Sequence, residues 1–151
     1  MGAVTYPDEK VAAFINARTV PVQMAYDAKP YADDFNIQWT PAVILLDEDG
    51  KEHFRTTGFL PPEEFIPSLL LGMLKVHFDL KQFREAIDVG DTLTKEYPKS
   101  KVVPETIFWQ GVANYEDTHD PSHLKAAYKK LKAEHPSSEW AIRAEPYDLL
   151  R

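Results

Sequence analysis

The sequence predicts an α/β unit over residues 1–60 followed by an all-helical segment over residues 61–151. A continuous apolar run at residues 42–46, with a turn signal after it, indicates a buried strand that leads into a hairpin. No strand pattern follows residue 60, and a proline-containing turn recurs at Pro98 and Pro136. The fold class is therefore α/β, then all-α.

The composition excludes several classes of protein. A net charge of −7 argues against binding of nucleic acid and against docking on anionic lipid, both of which need basic surfaces. With no cysteine, the chain can form no disulfide, thiolate metal site or thiol nucleophile. No apolar run approaches the roughly 18–20 residues of a membrane-spanning helix, and no signal peptide is visible. We therefore expect no membrane insertion and favour a cytoplasmic location.

The first elements are a helix, a strand and a short helical turn. Apolar residues at helical spacing, among them Val11, predict a helix over residues 8–17. Residues 19–26 alternate between apolar and polar side chains and predict a strand. Because Pro21 lacks a backbone donor, this strand should lie at or near a sheet edge. One or two helical turns should follow at residues 31–35.

The hairpin is the most informative stretch. The run at residues 42–46 predicts a strand covered on both faces, with Pro41 at its first position, where a cis peptide is compatible. Asp49 and Gly50 are the residue types that a two-residue hairpin turn requires. Residues 52–57 alternate as a half-exposed second strand.

The helical segment begins near residue 61, where prolines and carboxylates suit a first helical turn. Pro67 falls later and should kink this helix or delay its start. Further along, segment 96–100 (EYPKS) recurs 38 residues later as segment 134–138 (EHPSS). Each copy ends one amphipathic helix and starts another, which is typical of stacked helix pairs.

This pattern resembles the tetratricopeptide repeat, in particular the divergent repeats of bacterial envelope and assembly factors. Phe83, Ala86 and Pro98 match the aromatic, small and proline positions of that motif. Several positions depart from it: Leu74 and Lys81 replace preferred glycines, Leu124 replaces a small residue, and the loop at residues 116–120 is long. These departures put a standard peptide groove in doubt. Two repeats also need an additional support, which the α/β unit can supply.

Residues 3–66 resemble the later part of a thioredoxin fold. The segments VTYPD at residues 4–8 and VPV at residues 20–22, together with the Thr40–Pro41 step, carry the resemblance. It implies a cis Pro41 that opens a strand and faces a redox Cys-x-x-Cys, which this chain lacks. It also implies that a first strand, a first helix and a central strand precede Met1.

Two explanations are compatible with this partial match. The chain is either a fragment of a longer redox protein or a natural truncated relative that keeps the scaffold without the chemistry. In both cases the strands at residues 19–26 and 42–46 would flank a missing central strand. Because unpaired buried backbone is costly, they must pair with each other or with another chain. We therefore expect association through the open sheet edge, most simply a homodimer.

The resemblance places a peptide-binding site at Trp39, Thr40 and Pro41, although these residues could instead only shape the turn into the strand. Trp109 and Trp140 belong to an aromatic set at helical spacing. They are expected in a repeat core, and if exposed they would be the best anchors for a partner.

We expect no metal and no cofactor. His119 and His123 are four residues apart, but Pro121 lies between them and interrupts a shared helical face. The acidic segment 47–50 lacks the spaced oxygen ligands of a calcium loop and predicts a turn. No phosphate-binding loop or nucleophile motif is present.

The leading hypothesis is a redox-inactive interaction module that binds a protein or peptide along the helical concavity or the open sheet edge. It combines a truncated thioredoxin-like sheet with a tetratricopeptide-like helical bundle. The alternative is the C-terminal part of a thiol-disulfide oxidoreductase whose Cys-x-x-Cys lies upstream of Met1. Thr40 and Pro41 would then position the substrate for a site outside this chain.

Overall fold

The computed structural model describes residues 1–150. In this range, seven α-helices and one 3₁₀ helix accompany a single two-stranded antiparallel sheet. The elements, in chain order, are α1 (Glu9–Arg18), α2 (Tyr31–Asp34), β1 (Ala42–Leu46), β2 (Glu52–Thr57), α3 (Pro62–Asp79), α4 (Phe83–Glu96), α5 (Val103–Thr118), α6 (Ser122–Glu134), α7 (Glu139–Ala144) and the 3₁₀ helix Glu145–Leu149.

Helix α1 is confirmed within one residue of its predicted ends. Asp8 caps it by accepting hydrogen bonds from the backbone N–H groups of Lys10 and Val11, each at 3.0 Å. The cap satisfies donors that have no partner within the helix. Val11 is fully buried, and α1 packs against α3.

The strand predicted at residues 19–26 is wrong. This segment is irregular, and its apolar side chains lie in solvent, with Val20 91% and Val22 71% exposed. A strand forms only where a neighbouring strand completes the ladder of hydrogen bonds, and no neighbour reaches this segment within the described chain. The alternating pattern favours a strand, but no neighbouring strand among the described residues pairs with this segment.

Strands β1 and β2 are confirmed at their predicted bounds. They pair in register from Ala42 opposite Thr57 to Leu45 opposite Phe54, and a bulge follows before Leu46. The predicted two-residue turn is wrong: the connection is longer, and of its residues only Gly50 has a positive φ, at +80°. A longer loop that ends in a left-handed glycine satisfies the same sequence signal.

Helix α3 is the central element of the core. It begins at Pro62 and runs through Pro67 without interruption, so the helix start is not delayed. It packs against both strands on one side and against α4 on another. Its apolar side chains Phe65, Leu70, Leu71 and Leu74 are each at most 2% exposed. No helix of the described residues is both long and apolar enough to cross a bilayer.

The helices after α3 pack in succession, each against the next. The two proline turns have the same backbone conformation: Tyr97 has φ −127° and ψ 52°, and His135 has φ −137° and ψ 52°. Each of these residues donates its N–H to a leucine four residues earlier, Leu93 or Leu131, and both leucines are fully buried. The sequence recurrence therefore corresponds to a structural recurrence.

The predicted fold class is confirmed. A small two-stranded antiparallel sheet comes first, and a bundle of helices follows it. The division at residue 60 stays a prediction, because α3 lies beyond that residue and packs against both parts.

Candidate functional site

The predicted binding residues lie together at the start of β1. The Thr40–Pro41 peptide bond is cis, as the thioredoxin resemblance implies. The Pro41 carbonyl accepts a hydrogen bond from Gly58 N–H at 2.8 Å, which joins the start of β1 to the end of β2. Trp39 lies just before this junction and is 73% exposed. We refer to residues 39–41 as the Trp39 corner.

Among residues 1–150, no strand lies beside one edge of β1, and we call this edge the open edge. Hydrogen-bonded pairs alternate along an antiparallel ladder. Because Pro41 pairs with Gly58, the next bonded residues toward β2 are Val43 and Leu45. The backbone N–H and C=O groups of Ala42 and Ile44 therefore point to the open edge. They offer two donors and two acceptors directly beside the Trp39 corner.

The two faces of β1 have different surroundings. Val43 and Leu45 pack against the core on the α3 side, where Gly72 allows close approach of the sheet. On the opposite face, Ile44 lies across from Arg55. A guanidinium nitrogen of Arg55 donates to the Phe35 carbonyl at 2.6 Å, which holds the segment after α2 against this face. The sheet is therefore half-covered on both faces, and no strand of the described residues covers the open edge.

The open edge of β1 and the outer edge of β2 differ in charge. The sequence of β1 is AVILL and contains no charged residue, whereas β2 carries Glu52, His53 and Arg55. Charged side chains on an edge strand oppose the addition of another strand. The open edge of β1 is thus the edge suited to strand addition.

A buried histidine holds the hairpin on the end of α3. His53 is 1% exposed in its side chain, and each ring nitrogen lies 2.7 Å from a carboxylate oxygen: Nε2 from Asp47 in the turn and Nδ1 from Asp79 of α3. The hydrogen bonds to Asp47 and Asp79 raise the pKa of His53. The hydrogen bond from His53 is also the main cause of the lowered pKa of Asp47.

The contacts of His53 suit a structural role better than a catalytic one. When the imidazole is protonated, both of its nitrogens donate to these carboxylates, so neither is free to accept a proton from a substrate. Asp47 lies across the hairpin and Asp79 lies 26 residues further on, so no local spacing could reveal the cluster.

The two predicted anchor tryptophans lie in an aromatic cluster of the helical part. The Trp109 ring centroid is 5.2 Å from that of Phe78 and 5.7 Å from that of Phe108, while Trp140 lies 5.0 Å from Phe108. Both tryptophans are half-buried and pack against the core. Trp109 Nε1 is buried without a hydrogen-bond partner. Their geometry is that of core packing, and their role in partner binding stays a prediction.

A recess of about 110 Å³ beside Trp109 is lined by His53, Lys75, Phe78, Asp79 and Trp109. Lys75 pairs with Glu105, and its ammonium group lies 5.7 Å from the Phe54 ring centroid and 5.8 Å from that of Trp109. The charged groups of the recess, Lys75 and Asp79, therefore already have partners, as does His53. Residues 1–150 contain no group of three or more histidine and acidic side chains arranged to hold a metal.

Comparisons with known proteins bear on the N-terminal part alone. Neither the curated proteins nor the solved structures contain a significant match to this chain. The comparison with family models finds a match that begins before α1, includes the Trp39 corner and both strands, and ends within α3. Residues 3–71, somewhat less than half of the chain, match the model of the thioredoxin-like domain.

Proposed function

We propose that this chain is a redox-inactive protein-interaction module that binds an extended polypeptide segment along the open edge of β1, beside the Trp39 corner. Affinity comes from backbone hydrogen bonds that extend the sheet, and selectivity comes from the side chains that flank the edge. The absence of cysteine removes thiol chemistry from the chain itself.

The distribution of apolar residues carries this proposal. Of the 19 buried apolar side chains in the described chain, 18 lie at or after residue 65, and Val11 is the exception. Of the 12 exposed large hydrophobic residues, nine lie at or before Phe59. Single exposed apolar residues are normal on a protein surface, but the N-terminal part leaves nine large apolar residues uncovered and buries only one, so it has apolar surface that a partner can cover.

The open edge is where a partner strand can extend the sheet with the least change in the structure of the chain. Ala42 and Ile44 present unpaired backbone groups in extended geometry, so an added strand needs no rearrangement of β1 or β2. The edge spans about 17 Å at roughly 3.3 Å per residue, which is the length of a typical strand. Trp39 at one end supplies an exposed aromatic surface of the kind that anchors peptides.

In this proposal the helical part, residues 61–151, is a tetratricopeptide-like scaffold, and residues 1–60 form the binding unit. The equivalent backbone at Tyr97 and His135 supports the repeat assignment. Close contact between α5 and α6 at Gly111 also supports it. The scaffold holds α3 in place, and α3 holds the sheet. Trp109 and Trp140 then stabilise the scaffold, and binding takes place at the sheet.

The test is a peptide titration followed by amide hydrogen exchange. The probe is a peptide of about eight alternating threonine and valine residues, a typical strand length, with a lysine at each end. Binding should protect the amides of Ala42 and Ile44 from exchange and change the fluorescence of Trp39. A peptide of the same length with consecutive prolines at its centre lacks donors along both of its edges and serves as the control peptide.

Two proline variants locate the site. Ile44→Pro removes a donor from the open edge but none from the β1–β2 ladder, so it should abolish binding. Thr57→Pro places the same residue on the outer edge of β2 and should leave binding intact, because Thr57 lies opposite Ala42 in the register. Equal binding by Ile44→Pro and the parent chain, with both folded by circular dichroism, would refute the proposal.

A second candidate function is the C-terminal part of a thiol-disulfide oxidoreductase. The match of residues 3–71 to the thioredoxin-like domain and the exposed Trp39 corner favour it. The segment that fills the open edge would then carry the Cys-x-x-Cys, with Thr40 and Pro41 positioning the substrate. Translation of the DNA upstream of the Met1 codon discriminates the two: an open frame encoding a strand and Cys-x-x-Cys supports the enzyme.

A further inference from the structure

We infer that the segment bound at the open edge is residues 19–26 of a second copy of this chain, so that two copies exchange these segments in a symmetric dimer. This inference rests on the proposed function, since it names the partner of the same edge. We call residues 19–26 the donor segment.

The donor segment has the properties of a strand without a partner. Its sequence, TVPVQMAY, contains no charged residue and alternates apolar side chains at Val20, Val22 and Met24, all of them exposed. Its backbone groups from residue 20 to residue 24 take part in none of the turn and cap hydrogen bonds found in the described part of the chain. The chain therefore contains both an unfilled edge and an unused strand.

Pro21 sets which side of the donor segment can pair. In a strand, the N–H and C=O groups of one residue point to the same side, and successive residues alternate. The backbone N–H and C=O groups of Val20, Val22 and Met24 can therefore all point to the open edge of the other copy, while those of Pro21 and Gln23 point away from it. Because Pro21 has no donor, it weakens the outer edge of the new sheet. This favours a closed dimer over continued addition of copies.

Charge also favours a junction made of these two segments. Each copy has a net charge of −7, so two copies repel one another overall. The donor segment and β1 contain no charged side chains and can meet without adding to that repulsion. A two-fold axis makes the exchange reciprocal, so each dimer contains two identical junctions and twice the buried area of one.

The test combines sedimentation equilibrium with two complementary variants. The parent chain should be a dimer. Val22→Asp introduces a charge into the donor segment at an exposed position, and Ile44→Pro removes a donor from the open edge; each variant alone should be a monomer. Ile142→Asp, at a residue of α7 that is 67% exposed, is the matched control and should remain a dimer.

Mixing the two monomeric variants is the decisive step. The Ile44→Pro copy retains an intact donor segment, and the Val22→Asp copy retains an intact open edge, so one complete junction can form between them. The mixture should therefore contain a heterodimer, although weaker than the parent dimer. Its appearance also shows that both variants are folded.

The other outcomes overturn the inference in distinguishable ways. A dimer that survives Val22→Asp but not Ile44→Pro indicates that two β1 edges pair directly, without the donor segment. A monomeric parent chain that still binds the threonine–valine peptide shows that the open edge serves a different partner, and the proposed function stands. A monomeric parent chain that binds no peptide refutes both.

Discussion

Replacement of Gly111 by alanine tests whether the close packing of α5 on α6 is a requirement of the helical scaffold. A Cβ added at Gly111 would lie less than 3.0 Å from the Cβ of Ala127. Ala127 is itself 7% exposed, and its Cβ cannot move away without its backbone. Relief of the clash therefore requires the two helices to separate.

Two opposing terms set the size of the effect. Replacing glycine by alanine within a helix contributes about 1 kcal/mol of stability through propensity. Overpacking at a rigid contact costs about 1–3 kcal/mol. Gly111→Ala should therefore lower the free energy of unfolding by about 1 kcal/mol on balance, which corresponds to a fall in Tm of about 2–4 °C for a chain of this size.

Gly90 provides the matched control in the neighbouring helix. A Cβ there would meet the end of the Gln110 side chain, at 2.5 Å from Cγ. That side chain can rotate away, at the loss of its hydrogen bonds to the Ile87 carbonyl and to Asp91. The propensity gain and the loss of about 1 kcal/mol in hydrogen bonding nearly cancel, so Gly90→Ala should be close to neutral.

The assay is urea denaturation of the single variants and of the double variant Gly111→Ala/Ala127→Gly, at one protein concentration. Removal of the Ala127 methyl group relieves the clash. The double variant should therefore be more stable, by about 1–2 kcal/mol, than the sum of the single effects predicts. Additive effects, or a Gly111→Ala protein more stable than its parent, would show that the helices do not depend on this contact.

Three further predictions concern the buried histidine, the contact of Glu64 with the loop before α5, and the lack of cysteine. Because the pKa of His53 is raised in the fold, this residue should contribute stability that is complete below about pH 6.5, its unfolded pKa, and that is lost as the pH rises through the higher folded pKa. A His53→Gln variant should lose this part of the pH dependence, measured by denaturation from pH 5.5 to 8.5. An unchanged pH profile would contradict the assignment. Glu64 accepts hydrogen bonds from Ser100 Oγ at 2.7 Å and from Lys101 N–H at 3.3 Å, so Glu64→Ala should cost about 1 kcal/mol, with Glu63→Ala as an exposed control that should be neutral. An insulin-reduction assay should show no turnover above background, because the chain contains no cysteine, and any turnover would contradict the account of its chemistry.

The elements that were predicted correctly are those whose signals are local. The helical spacing of apolar residues in α1 and the apolar run of β1 were each sufficient to place an element to within a residue or two. The donor segment shows the limit of such signals. Its alternation predicted a strand, but a strand depends on a neighbour, and neighbours are set by tertiary structure.

The candidate site shows the same division between local and distant information. The Thr40–Pro41 step marked the start of β1 and, with it, the Trp39 corner. The interaction of His53 with Asp79 could not be predicted, because the residues that meet belong to a strand and to the far end of a helix. Which backbone groups of β1 face the open edge also required the register, since a shift by one residue exchanges the two sides.

Helix α3 explains how a sheet with so little core of its own can remain ordered. Its buried side chains are shared between the helical bundle and the single sheet, and Gly72 lets Leu45 and Phe54 approach the helix axis. The sheet therefore depends on α3, while α3 also packs against α4 and α5. Loss of the sheet would expose one side of α3 but leave its contacts with the bundle. The unit that carries the open edge is thus the less stable part of the molecule, and binding of a strand there should stabilise it most.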